Sequence, residues 1–155
     1  MDRQLSKHFW LREFLRSEMS RRMGREIEAP PPEIVAGLES LCLEVLEPLR
    51  ESMDKPFTIL SGWRPAWLNR AVGGAKTSDH MVGRAADLIV AGAPNAEVCE
   101  HLREMDLPFK QCILEFPPTG WVHISVGIPG STPKQEFLTA VKQGGMTVYM
   151  NGIRD

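Results

Sequence analysis

The sequence is poor in cysteine: three in 155 residues, Cys42, Cys99 and Cys112, odd in number and without a Cys-x-x-Cys pair. That argues against a disulfide framework and a thiolate metal site, and the three side chains read as small apolar fillers. Charge of one sign is equally scarce. The 18 Lys and Arg against 20 Asp and Glu leave a formal charge of -2, so no overall basic field draws the chain to nucleic acid or to an anionic membrane. No apolar run is long enough to span a bilayer, and residues 1–10, with charges at Asp2, Arg3 and Lys7, contain no signal-peptide core. The expectation is a soluble chain made in the cytoplasm, with no membrane insertion and no nucleic-acid partner. Tyrosine occurs once. Present in quantity are proline (12) and glycine (13), which punctuate a chain into turns and long loops instead of a helical bundle. With 43% apolar residues a packed core is attainable, and the length suits one domain over residues 1–155, expected as a monomer.

Apolar spacing marks the helices. Phe9, Trp10, Leu11, Phe14, Leu15 and Met19 recur at mixed helical intervals up to Gly24, which predicts one or two short helices. Arg12, Arg16, Arg21, Arg22 and Arg25 are interleaved with Glu13, Glu18, Glu26 and Glu28, and so read as a solvated surface instead of a phosphate-binding face. After Pro30-Pro31-Pro32, the residues Ile34, Leu38, Leu41, Cys42, Val45, Leu46 and Leu49 trace one amphipathic helix that Pro48 should kink or end. Strands are predicted at 57–60, 85–90, 111–116 and 121–126, the last two joined as a hairpin by residues 117–120, with a final hairpin at 138–141 and 146–149. A helix capped by Asn95, burying Val98, Leu102 and Met105, separates the second strand from the third. The expected fold class is α+β, a small antiparallel sheet with N-terminal helices.

Residues 61 to 84 show little periodicity, and a loop of that length in a small domain usually carries function. It leads into Ser78-Asp79-His80-Met81-Val82-Gly83-Arg84-Ala85-Ala86-Asp87. A divalent metal such as zinc gathers His nitrogen and carboxylate oxygen at roughly 2 Å, so its ligands must converge from separate chain positions. His80 and Asp87 would stand ~23 Å apart on an extended chain, so the chain must reverse between them, cheaply at Gly83. Asp87 is ionisable within an otherwise apolar strand and needs a partner or a metal. His123, in Trp121-Val122-His123-Ile124-Ser125, shares a strand face with Trp121 and Ser125. If its strand lies beside that of Asp87, two His and one carboxylate meet on one face and leave a fourth tetrahedral position open, as in catalytic zinc sites. Taken singly, His123 reads as a core histidine and the Ser78-Asp79-His80 run as a turn cap. Taken together, a metal explains more.

Ser61-Gly62-Trp63-Arg64-Pro65, then Leu68-Asn69 with Gly73-Gly74, then Ser78-x-His80-x-x-Gly83-x-Ala85-x-Asp87, and finally Trp121-Val122-His123-Ile124-Ser125 resemble the zinc D-Ala-D-Ala carboxypeptidase and phage endolysin family of peptidases. The opening Leu5-Ser6-Lys7-His8-Phe9 with Glu13-Phe14, and Val45-Leu46-Glu47-Pro48-Leu49-Arg50, are similar to the compact branch common in phages and prophages. The resemblance implies a hedgehog-like zinc fold with zinc on His80, Asp87 and His123. It implies that Arg64 holds a substrate carboxylate or carbonyl oxygen through its planar fork, that Ser78 contacts substrate or braces its loop, and that Trp63 and Trp67 line a groove. The activity implied is hydrolysis of peptidoglycan peptides by a D-Ala-D-Ala carboxypeptidase or an endopeptidase, in lysis or cell-wall remodelling. Without a signal peptide, such an enzyme would reach the wall through a holin or with a phage particle. The alternative is a zinc-binding module of the same fold without catalysis, as in hedgehog-type relatives.

The general base is where the sequence departs from the family pattern. Many members carry an acid three positions before the last His, and here that position is Gly120. The nearest acid is Glu115. If Phe116 pairs with Trp121, Glu115 faces away from His123; if Glu115 itself pairs with Trp121, it shares the face of His123 at a diagonal of roughly 7 Å. The sequence leaves both registers open, and Glu115 is the expected base.

Overall fold

The computed structural model describes residues 2–155. The chain opens with two short antiparallel strands, β1 (Gln4–Ser6) and β2 (Phe9–Trp10). A 3-10 turn (Leu11–Leu15) then leads to α1 (Glu18–Met23), where the Ser17 hydroxyl accepts from the Ser20 N–H and Gly24 stops the helix with a φ of 63°. The predicted long amphipathic helix is present as α2 (Pro32–Leu41), a π-helical turn (Cys42–Leu46) and α3 (Glu47–Met53) in unbroken succession. Pro48 does not end it. The proline ring presses on the carbonyl one turn back, and the widened π-turn immediately upstream takes up that pressure. Glu47 is buried at this junction, where its carboxylate accepts from the Ser6 hydroxyl at 2.7 Å and from the His8 N–H at 2.7 Å. This ties β1 and β2 to the helix.

The remaining elements are β3 (Phe57–Ser61), α4 (Ala66–Ala71), β4 (Ala85–Val90), α5 (Asn95–Met105), β5 (Gln111–Glu115), β6 (Trp121–Ser125), β7 (Glu136–Gln143) and β8 (Met146–Asn151). The expectation of one small antiparallel sheet needs correcting. Besides the β1-β2 pair there is a six-stranded sheet in the order β3-β4-β6-β5-β7-β8, and it is mixed, because β7 runs parallel to β5. The connection between β6 and β7 explains this. It passes around the start of β5, where the Lys110 N–H donates to Ser125 O and the Glu136 N–H to Lys110 O. β7 therefore runs antiparallel to β6 with β5 between them, which a short loop can achieve without a crossover helix.

One face of the sheet, carrying Ala86, Leu88, Cys112, Leu114, Val122 and Ile124, packs against the apolar stripes of α2, α3 and α5 in a single core. Each fully buried Leu or Ile there contributes about 1.5–3 kcal/mol. Cys99 and Cys112 meet inside it, Sγ to Sγ at 3.6 Å, and burial pushes the Cys112 thiol up, in keeping with apolar filling. Alternation along the strands sends the intervening side chains to the opposite face. Among the described residues, no helix is long and apolar enough to cross a membrane.

Candidate metal centre

Strand register assembles the site. β4 and β6 pair antiparallel with Asp87 opposite His123, and β5 joins β6 with Ile113 opposite His123 and Glu115 opposite Trp121. Of the two hairpin registers open to the sequence, the structure adopts the second. Asp87, His123, Trp121 and Glu115 consequently share the face turned away from the core.

His80 reaches this face from the loop before β4, in a 3-10 turn (Asp79–Val82) that ends at Gly83 with a φ of 70°. A Cβ on Gly83 would also lie 2.8 Å from the Ile34 carbonyl oxygen, so both conformation and space require glycine. Ser78 braces this turn, its hydroxyl accepting from the His80 N–H at 3.3 Å. His80 Nδ1 lies 2.7 Å from Gly62 O. A carbonyl can only accept, so Nδ1 carries the hydrogen and Nε2 keeps its lone pair for the site. The order continues outward, because Gly62 packs on Phe14 so closely that a Cβ there would fall 2.6 Å from its backbone.

His80 Nε2 stands 3.2 Å and His123 Nδ1 3.0 Å from Asp87 Oδ1, and the three donor atoms lie within 4.8 Å of one another. His80 is 1% exposed and His123 9%. Burial raises the Asp87 carboxyl, but in the metal-free protein the charge of His80 in its protonated form and the hydrogen bond from His123 outweigh it and hold the group below the usual carboxylate range. It stays anionic. Two imidazole nitrogens and one carboxylate oxygen, brought together from three chain segments with an ordered outer hydrogen bond, fit a divalent ion such as zinc and leave room for further ligands.

Glu115 behaves in the opposite way. Burial and the negative charge of Asp87 push it up to about 7, against the pull of His123 and Arg64. A carboxylate with that pKa in a cleft suits proton transfer near neutral pH. Gly120 sits in the hairpin turn, its N–H donating to Phe116 O at 3.0 Å, and a Cβ on it would fall on the Glu115 carbonyl oxygen. This turn thus admits no acid at position 120. Asn95, the first residue of α5 and not its cap, donates through Nδ2 to Gly120 O at 3.0 Å.

Arg64 follows β3, anchored by its N–H to His80 O at 3.0 Å. Burial lowers its pKa, while the charges of Asp87 and Glu115 support the cation, and its buried Nε has no hydrogen-bond partner among the described residues. These groups line one cleft of about 1710 Å³ together with Ser78, Trp121, Lys110 and Tyr149. Trp63 and Trp67 are absent from its walls. Trp63 is buried and donates to Met81 O at 3.2 Å, and Trp67 donates to Glu28 beneath the Arg25 guanidinium. Lys110, whose Nζ pairs with Asp79 at 2.9 Å, and Tyr149 were not foreseen, since both reach the cleft through pairing between distant strands.

A sequence model of the peptidase M15 family matches residues 7–125. A stretch of 44 residues is 50% identical to the zinc D-Ala-D-Ala carboxypeptidase of Streptomyces albus G, covering 28% of this chain and 17% of that protein. The chain therefore spans under a fifth of the length of this relative.

Proposed function

The chain belongs to the peptidase M15 family, and from that premise we propose that it is a zinc peptidase hydrolysing peptide bonds of peptidoglycan, as a D-Ala-D-Ala carboxypeptidase or an endopeptidase. The observation that carries the reading is the β5-β6 register, with Glu115 on the face of Asp87 and His123. A binding module without catalysis has no need of a further carboxyl group on the face of its ligands. The matching relative is by name a zinc D-Ala-D-Ala carboxypeptidase, which supports both the metal and the substrate class.

His80 Nε2, Asp87 Oδ1 and His123 Nδ1 would hold the zinc. When bound, it supplies Lewis-acid polarisation of the scissile carbonyl. Glu115 takes the proton of the attacking water on its carboxylate and returns it to the leaving amine. Arg64 receives a substrate carboxylate, its unpartnered Nε and planar fork offering parallel donors. Ser78 holds the His80 loop in place and leaves contact with the peptide to Arg64. We further propose a role in lysis or wall remodelling, with delivery to the wall through a holin or with a phage particle.

The test is a digest of purified cell wall by the zinc-loaded chain and by Glu115→Ala, read by mass spectrometry. Wild type should release peptide fragments or free D-Ala, and Glu115→Ala should keep its zinc while losing about 100-fold or more in rate. Zinc binding without any released product would favour the non-catalytic module, and full activity in Glu115→Ala would assign the base elsewhere.

A further inference from the structure

The C-terminal hairpin lies beyond the stretch that matches the family, residues 7–125, yet β8 brings the one tyrosine of the chain onto the metal-bearing face. The register fixes its place. Glu115 stands opposite Ala140 and Ala140 opposite Tyr149, so carboxylate and phenol occupy one transverse row, two strands or ~10 Å apart at the backbone. Ala140, between them, offers only a methyl group, so the strand that separates the two puts no large side chain of its own in that row. Tyr149 is 55% exposed, lines the same cleft as the three ligands, Glu115 and Arg64, and its hydroxyl makes no hydrogen bond among the described residues. An aromatic ring with a free donor at the rim of a cleft is well suited to gripping a peptide, since it adds contact area and a hydrogen bond at little entropic cost.

The sheet also orients the peptide. Arg64 enters from the β3 edge and Tyr149 from the β8 edge, the opposite ends of the strand order. Resting on the peptidase reading above, we propose that Tyr149 binds the acyl-side segment of the peptide substrate, its hydroxyl donating to a backbone carbonyl oxygen, while Arg64 takes the carboxylate on the leaving side. Burial and the negative charges of Glu115 and Asp87 push the phenol up, which keeps it a protonated donor across the working range.

Two measurements on the zinc-loaded full chain test this, both with a soluble stem pentapeptide ending in D-Ala-D-Ala. In hydrolysis, Tyr149→Phe should lower kcat/KM about fivefold to tenfold and Tyr149→Ala further, with the loss mainly in KM and with zinc content and melting temperature unchanged. In calorimetry on a Glu115→Gln background, which binds without turnover, adding Tyr149→Ala should weaken binding by about tenfold. If wild type cleaves the peptide but KM stays within about twofold in both tyrosine variants and binding within about twofold on adding Tyr149→Ala, the assignment of Tyr149 is overturned and the peptidase reading stands. If wild type does not cleave this peptide but binding still depends on Tyr149, the carboxypeptidase form of the reading falls and the peptide subsite stands.

Discussion

Asp87 and Glu115 are two carboxyl groups on one sheet face with opposite fates, and the difference lies in their neighbours. Asp87 has two imidazoles against one oxygen, whereas Glu115 has burial and a like charge. This makes the metal-free protein pH-sensitive in a defined direction. Because the native state holds the Glu115 proton up to about 7 while the unfolded chain releases it near 4.5, the contribution of this group is fully present below about 4.5 and is lost as pH rises towards 7. The loss amounts to at most about 3 kcal/mol. Melting of the chelated protein across that window should show it as an excess fall in wild type over Glu115→Gln; equal slopes would remove the group from the balance. At this scale the convergence of His80, Asp87 and His123 was legible in the sequence, since a reversal at Gly83 and adjacent strands suffice to bring them together. Tyr149 was not legible, because its position depends on a parallel pairing between β5 and β7 that no local pattern announces.

Among the elements, the β5-β6 hairpin has the largest consequence, because its register decides whether a carboxylate faces the ligands. Its turn is tightly built: Phe116 adopts a φ of 53°, its ring packs edge-on against Trp121 at 5.5 Å, and Gly120 closes against the Glu115 carbonyl. Supplying the missing family acid by Gly120→Asp should therefore harm the protein. We expect a loss of about 2 kcal/mol or more in urea unfolding, and about a 100-fold fall in peptide hydrolysis as Glu115 is displaced. A gain in activity would mean that the turn can open to accept a second acid. The helices α2, α3 and α5 were legible from their apolar spacing, whereas Phe9 and Trp10, expected within a helix, form the strand β2, because their pairing with β1 prevails over a spacing too irregular to hold a helix. The continuation through Pro48 was not legible, since a π-turn has no residue signature comparable to that of a capped helix end.

For the whole molecule, the site joins segments from the N-terminal turn to the last strand. Gly62 rests on Phe14 and its carbonyl orders His80, while Tyr149 closes the far side. Metal binding should accordingly stabilise the entire fold, through ligands that the unfolded chain does not hold together. At a thousandfold excess of free zinc over its dissociation constant the gain is about 4 kcal/mol, or on the order of 10 °C in Tm for a chain of this size. Chelation should remove that increment and zinc restore it, with about one ion per chain. His80→Ala should show neither the increment nor the ion, and retained metal in that variant would break the ligand assignment. The mixed six-stranded sheet was the least legible feature, because parallel partners are set by where a loop is led and not by the strands themselves.

The glycine at position 120 also bears on how related chains are sorted into working enzymes and relics. Any inventory keyed to an acid three residues before the final histidine would count this chain among the inactive, although the neighbouring strand delivers a carboxyl group to the same face. In this turn a side chain at 120 and the present seat of Glu115 exclude each other. A lineage moving from one arrangement to the other would thus have to rebuild the turn in the same step. Classification by strand pairing would keep the two arrangements apart where classification by alignment column confuses them.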